Sequence, residues 1–214
     1  FRSLRDFAPI AMLTVQPTVI VVGPSVSAAN VKELIALAKS RPGELNVGNA
    51  GVGTSPHLAA ELFKSSAGVN MTSVPYAGSG PAITALLGGH VQVLFGTPSS
   101  IGPHIKSGKV KALAVTSAQP SVLLPDLPPA AATVPGYELT EVLGFFAPAK
   151  TPANLVATLN QEANKALKRP EVREAFLKAQ VEPVGGTPEK FIAVIKSDIA
   201  KFGKLTREDN LKPQ

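Results

Sequence analysis

Apolar residues fall along this chain in short runs, and the runs alternate between the spacing of strands and the spacing of helices. The first, from Asp6 to Gly23, holds Ile10-Ala-Met-Leu13 and Val19-Ile-Val-Val22 with Gln16-Pro17 between them. Proline has no N–H to give a ladder, so this run reads as a bent or edge strand. Val31 to Lys39 carries apolar residues at 31, 34, 35 and 38, the period of a helix, and Arg41-Pro42-Gly43 stops it. From there the two patterns take turns. Strands are expected at Leu45–Val47, Met71–Val74, Val91–Phe95 and Val110–Thr116, and helices at Ser55–Ser66, Gly80–Leu87 and Ile101–Lys106. Such alternation predicts βαβ units on a mainly parallel sheet.

The stretch Ala118–Tyr137 breaks the rhythm. It holds Pro120, Pro125, Pro128, Pro129 and Pro135, too many for a regular element. A structureless connection of that length inside a compact chain is expected to be a linker or to carry function. Tyr137–Ala147 then returns as a strand, and the remainder reads as helices at Ala153–Lys168, Glu171–Gln180 and Pro188 to about Arg207. Thr187-Pro188-Glu189 supplies a cap and a first-turn proline for the last of these. The stripe Leu155, Leu159, Ala163, Ala166 and Leu167 reads as core, and no internal repeat or sustained heptad is present.

Composition removes several classes of chemistry. With 214 residues and 44% hydrophobic content the chain can bury a substantial core. Its longest apolar runs, such as Val19–Val22 and Ala112–Val115, are far too short to cross a bilayer. There is no cysteine, hence no disulfide, thiolate nucleophile or Cys-based metal site. The net charge is +6, yet Lys and Arg are dispersed beside Glu and Asp, with no Trp and two Tyr, so a nucleic-acid partner is not expected. No basic-then-apolar leader precedes the strand-like material at Phe1, which reads as the start of a mature or shortened product.

The informative chemistry follows the strands. Three successive strand-to-helix loops are rich in Gly, Ser and Thr: Gly48 to His57, Pro75 to Pro81, and Phe95 to Ser100. In an open parallel sheet such loops lie at the strands' C-terminal edge, where ligands bind. Glycine lets a ligand approach the backbone, and the first helical N–H groups are unpaired donors at the positive end of a dipole. A carboxylate could be held there without an arginine. The candidate binding residues are Gly51, Gly53, Thr54, Ser55 and His57 in the first loop, Tyr76, Ala77, Gly78 and Ser79 in the second, and Gly96 and Thr97 in the third. Ordinary helix capping by Thr54, Ser55 or Ser79 is the competing reading of each loop taken singly.

Catalytic constellations are missing. The glycines do not give the dinucleotide spacing, and no GxxxxGK[ST] occurs. His57, His90 and His104 lack metal-ligand spacing, and Gly53-Thr-Ser-Pro is not a nucleophile elbow. Neither Glu61 nor Asp126 has a carboxylate partner nearby in sequence. No cofactor, metal or catalytic residue is therefore assigned, and the chain is read as a binding protein rather than an enzyme.

Asp6-Phe-Ala-Pro-Ile, Gly51-Val-Gly-Thr-Ser-Pro-His-Leu, Val74-Pro-Tyr-Ala-Gly-Ser-Gly-Pro-Ala, Leu87-Gly-Gly-His-Val-Gln-Val, Lys109-Val-Lys-Ala-Leu-Ala-Val-Thr-Ser, Phe146-Ala-Pro-Ala-Lys-Thr-Pro and Pro183-Val-Gly-Gly-Thr-Pro-Glu-Lys-Phe stand in order along the chain. The whole resembles the Bug family, the TctC-like substrate-binding proteins of tripartite tricarboxylate transporters. The resemblance implies an α/β, type II periplasmic-binding-protein-like, two-lobed fold with mainly parallel sheets. It implies a periplasmic location and a small organic acid as ligand: a dicarboxylate, a tricarboxylate or an aromatic acid. It further implies delivery to a membrane permease of TctA/TctB type, and contacts made by loop backbone and hydroxyl groups at Gly51–His57 and Tyr76–Ser79.

Two departures qualify the match. The family's N-terminal portion, including a loop of the first lobe's ligand site, has no counterpart, so the first lobe is expected to be incomplete and this chain alone to bind weakly. Many relatives also carry an acidic residue where this chain has Gly96, which favours a ligand without an amine. The expected organisation is a first-lobe remnant at 1–22 and 141–214, a second lobe at 23–140, and hinge strands near 15–22 and 143–148. A module that senses an organic acid for a signalling partner is the alternative function.

Overall fold

The structure is a computed structural model that describes residues 3–208. In chain order the elements are α1 (Ser3–Asp6), β1 (Phe7–Pro17), β2 (Val19–Val22), α2 (Val31–Ser40), β3 (Asn46–Asn49), α3 (Ser55–Ala67), β4 (Thr72–Pro75), α4 (Ser79–Leu87), β5 (Val93–Gly96), α5 (Pro98–Lys106), β6 (Lys111–Val115), β7 (Thr140–Pro148), α6 (Ala153–Leu167), α7 (Pro170–Lys178), β8 (Glu182–Pro183) and α8 (Pro188–Glu208). Two compact units result, one of residues 3–16 with 142–208, the other of residues 17–141. The run from Asp6 to Gly23 is thus two strands broken at Thr18, and β2 belongs to the second unit, where the sequence reading had begun that unit at Gly23.

The second unit is built on a sheet of order β4-β3-β5-β2-β6. β3 is parallel to β4 and to β5, while β2 is antiparallel to both β5 and β6. Four strands therefore point one way, as the βαβ pattern requires, but the pairing is not mainly parallel as expected. The reason lies in connectivity. Parallel neighbours need a helical crossover, whereas β2 arrives directly from β1 and is free to run in reverse, in the slot that α5 spans between β5 and β6.

All four β2 residues are fully buried and the strand is paired on both sides, so Val19-Ile-Val-Val22 is an interior strand of the sheet rather than an edge. Val19 and Val21 pack with Leu86, Val91, Leu94 and Ile101 on one face. On the other, Phe63 meets Phe95 at 5.8 Å and Tyr137 edge-on at 5.5 Å. The Tyr137 hydroxyl donates to the Ala59 carbonyl at 3.0 Å, and burial pushes its phenol well above the usual range. The proline-rich stretch is consequently no loose linker. It bridges β6 at Val115 and Pro129, makes a short 3₁₀ turn at Ala130–Ala132, and is pinned by buried Ala130, Val134, Tyr137 and Leu139.

Thr116, fully buried just past β6, ties together the two passages of chain between the units. Its N–H donates to the Thr18 carbonyl at 2.9 Å and its carbonyl accepts from Leu139 N at 2.9 Å. Its hydroxyl accepts from Thr18 N at 2.8 Å and donates to the Leu139 carbonyl at 2.7 Å.

In the first unit, the sheet order is β7-β1-β8, with β8 antiparallel to β1. β8 was not foreseen; two residues give no periodicity to read. Asn160 on α6 donates to the carbonyls of Ile10 at 2.7 Å and Gly186 at 2.8 Å, fixing that helix to β1. Gly144 on β7 is required by closeness: an added methyl would overlap the Phe191 ring and stand 2.7 Å from the Ala11 carbonyl oxygen. The α6 stripe expected to be core is not. Leu167 alone of its members is buried, with Leu155 46% and Leu159 41% exposed, because no described element packs over them. An open groove of about 590 Å³ lies between α1, the start of β1, α6 and the start of α8. No helix among the described residues is long and apolar enough to cross a membrane.

Two stability measurements follow. Thr116→Val keeps the shape but removes two buried hydrogen bonds and strands the Thr18 N–H, so denaturant unfolding should show a loss of about 2–4 kcal/mol. Gly144→Ala should cost about 1–3 kcal/mol through overpacking, whereas Gly102→Ala in α5, where a methyl meets nothing within 4 Å, should be neutral or stabilising by about 0.5–1 kcal/mol.

Candidate functional site

Because β4, β3 and β5 are adjacent and codirectional, the loops that leave them emerge side by side at one edge of the second unit's sheet. The first two loops are joined directly. Tyr76 N donates to the Asn49 carbonyl at 3.0 Å, and a methyl on Gly51 would stand 3.6 Å from the Tyr76 carbonyl oxygen. Gly51, Gly53 and Gly78 have φ of +123°, +80° and +111°, conformations that L side chains rarely adopt. These turns are what deliver the chain from strand end to helix start within a few residues.

Each of the three loops ends at a helix whose N-cap residue makes no side-chain cap hydrogen bond: Thr54 for α3, Gly78 for α4 and Thr97 for α5. By contrast, α2 is closed by Asn30, whose side chain accepts from Glu33 N at 2.9 Å, while Glu33 accepts from Ala29 N at 2.7 Å. Proline occupies one of the first three positions in each open helix, at Pro56, Pro81 and Pro98, and thins the donor set. The first-turn N–H groups that remain without a carbonyl in the preceding turn are those of Ser55 and His57, Ser79 and Gly80, and Ser99. The Ser55 and Ser79 hydroxyls make no hydrogen bond among the described residues, and both residues are half-buried.

Other candidates are committed within their own loops. Gly51 N donates to Asn49 Oδ1 at 3.0 Å and Gly53 N to His57 Nδ1 at 3.2 Å. The Thr54 hydroxyl spends its proton on the Gly51 carbonyl at 2.7 Å. Thr97 joins a hydroxyl cluster, 3.0 Å from Ser100 Oγ and 3.2 Å from Ser99 Oγ. The Tyr76 ring packs on the core cluster beside Gly48 rather than standing clear, Ala77 is exposed, and Gly96 is buried where a side chain would press on Leu94 at 3.0 Å.

His57 is turned inward, its side chain 4% exposed. Its Nε2 lies 3.8 Å from Glu61 Oε1, and Glu61 pairs with Lys64 at 2.7 Å and accepts from the Ser73 hydroxyl. Lys64 also donates to the Met71 carbonyl at 3.2 Å. Burial lowers the His57 pKa below its ordinary 6.5, with the Glu61 carboxylate opposing and Lys64 reinforcing the shift. The residues 57, 61 and 64 share a helix face by spacing alone, but Ser73 and Met71 join them only through the packing of β4. Asn49 was missed altogether: it is fully buried, and its Nδ2 has no partner among the described residues. His90 is exposed and His104 half-buried, both away from these loops. No three His, Cys, Asp or Glu among the described residues could hold a metal. A second groove, of about 850 Å³ and bordered by Gly23, Pro24 and Lys109–Lys111, lies at the opposite sheet edge.

The chain matches the model of the TctC family, described as tripartite tricarboxylate transporter family receptor, over residues 1–211. It is 37% identical over 99% of its length to the "UPF0065 protein in tcbD-tcbE intergenic region" of a Pseudomonas species, of which it covers 63%. Among solved structures it resembles a protein of R. palustris determined with adipate, at TM-score 0.86 and 32% identity, covering all of this chain and 72% of that one. It also resembles MatC of Rhodopseudomonas palustris with bound malate, at TM-score 0.79 and 27% identity, covering 96% of this chain and 71% of that one. The chain spans less than two thirds of the length of the first curated relatives it matches. With a family match running almost from end to end and an α/β fold shared with these binding proteins, the chain belongs to the TctC family of solute-binding receptors.

Proposed function

We propose that this chain captures a small dicarboxylate, without turning it over, at the edge where β4, β3 and β5 end. The observation that carries this reading is the set of three adjacent helix N-termini left without side-chain caps at one sheet edge. Each presents one or two unpaired N–H groups and the positive end of a helix dipole, which favour an anion without any Arg or Lys in the loops. The half-buried hydroxyls of Ser55 and Ser79 add donors with protons still to give. Relatives determined with adipate and malate support an acid of that class.

The family match supports the remaining assignments: a periplasmic location, and transfer of the ligand to permease subunits of TctA/TctB type. The two passages between units, at 16/17 and 141/142, are the places for a hinge, since Thr116 ties Thr18 and Leu139 together on the second unit's side of each. Among the described residues no nucleophile–base pair lies within reach of these loops, which favours binding over catalysis.

Calorimetry with adipate, malate and a tricarboxylate tests the reading. Ser55→Ala and Ser79→Ala should each weaken the best ligand by about 0.5–1.5 kcal/mol, one neutral hydrogen bond apiece. Thr54→Ala should act by loosening the loop, since its hydroxyl is already spent on Gly51. Unchanged affinity in the Ser55/Ser79 double variant, or no acid bound at millimolar concentration, would remove the basis for this site.

A further inference from the structure

We propose that His57 is a positioning residue whose neutral imidazole holds the Gly51–Thr54 loop in place, so that acid releases the loop and weakens ligand binding. The link to ligand rests on the binding reading above; the hold on the loop does not. His57 was expected to line the site as a ligand contact. Its geometry assigns it a different task. Nδ1 accepts the Gly53 N–H at 3.2 Å, and only an unprotonated nitrogen can do so. The neutral ring then carries its proton on Nε2, the side facing Glu61.

That loop depends on a small number of ties. Gly51 and Gly53 hold positive φ, and the segment between them is fixed by Gly51 N on Asn49, Gly53 N on His57, and the Thr54 N–H and hydroxyl on Gly51. Protonation at Nδ1 would set two N–H donors against each other and remove the tie from Gly53 to α3, leaving the loop joined to that helix through Leu58 N on the Thr54 carbonyl. Ser55 directly follows this segment, so its N–H and hydroxyl shift with it.

The groups around the ring set the direction. On its own helix are Glu61, at 3.8 Å, and Lys64, which pairs with Glu61. From β4, among the described residues, come the Ser73 hydroxyl and, just before that strand, the Met71 carbonyl, both engaged with the Glu61–Lys64 pair. With Glu61 already occupied by Lys64 and Ser73, little is left to stabilise an imidazolium in this buried position, in keeping with the downward shift from 6.5. A folded pKa below the unfolded one means that the unfolded chain binds more protons between the two values. The stabilisation is therefore complete above 6.5 and is lost as pH falls through the lower, folded value.

The experiment follows the Gly53 amide by NMR through a pH titration of the whole chain, beside His57→Asn and His57→Phe. Asn places an amide oxygen near the Nδ1 position and cannot be protonated; Phe has no acceptor. The Gly53 resonance should move with the His57 titration in the native chain, stay fixed in His57→Asn, and sit at the acid-limit position at all pH in His57→Phe. Adipate affinity should fall on the same titration in the native chain. In His57→Asn it should vary only as adipate's own protonation dictates, and His57→Phe should be weakened roughly five- to tenfold at neutral pH. A Gly53 amide that ignores the His57 titration overturns the proposal. So does an affinity ratio between native chain and His57→Asn that is independent of pH while Gly53 does titrate. If adipate binds at no pH, the binding reading fails for that acid, and the Gly53 titration by itself decides whether His57 holds the loop.

Discussion

The reversed strand β2 is the constraint on which the second unit depends. It is hydrogen-bonded along both edges and excluded from water on both faces. Thr116 fastens the residue that leads into it to the residue that leads out of the unit. Four apolar side chains at full burial contribute about 1.5–3 kcal/mol each before any hydrogen bond is considered. Because β2 fills the slot between β5 and β6, the strands β4, β3 and β5 are left contiguous, and their loops share one edge.

The chemistry at that edge comes mainly from backbone. The chain is basic overall, but no Lys or Arg lies in the three loops, so its net charge has little bearing on the proposed site. What matters is which donors are already spent. Gly51, Gly53 and Thr54 use theirs to shape the first loop, whereas Ser55 and Ser79 retain theirs. Glycine and threonine in such a loop therefore divide the labour between geometry and recognition. The buried Glu61–Lys64–Ser73 cluster stands behind the loop as a foundation, with every charge paired, which is the condition for burying charge at tolerable cost.

The two units differ in how completely they cover their apolar surface. In the second, β2 and its neighbours form a closed core joined by the Phe63, Phe95 and Tyr137 rings. In the first, Leu143, Phe145, Leu155 and Leu159 remain exposed, and α6 is tied to Ile10 of β1 through Asn160 and to Gly186, past β8, through Asn160 and Asn164. Asn160 and Asn164 illustrate how polar side chains can anchor a helix whose apolar stripe has found no cover.

The sequence by itself determined the order of strands and helices in the second unit, the family, and the three loops as candidates, because period, proline and glycine act locally. Helix starts at Ser55, Ser79 and Pro98 lie within a few residues of those expected. It could not give the direction of β2, since a buried run of three valines and one isoleucine reads alike whichever way it is paired. Nor could it tell that Leu155 and Leu159 lie bare, because amphipathic spacing predicts a face to bury and not whether something covers it. Only the tertiary structure decided that the His57–Glu61–Lys64 face is buried against Ser73 and Met71, and that Asn49 ends β3 with a side-chain N–H that is buried and unmatched among the described residues. Spacing puts 57, 61 and 64 on one helix face, but what covers that face and the end of β3 is set by packing across β3 and β4, where local pattern carries no information.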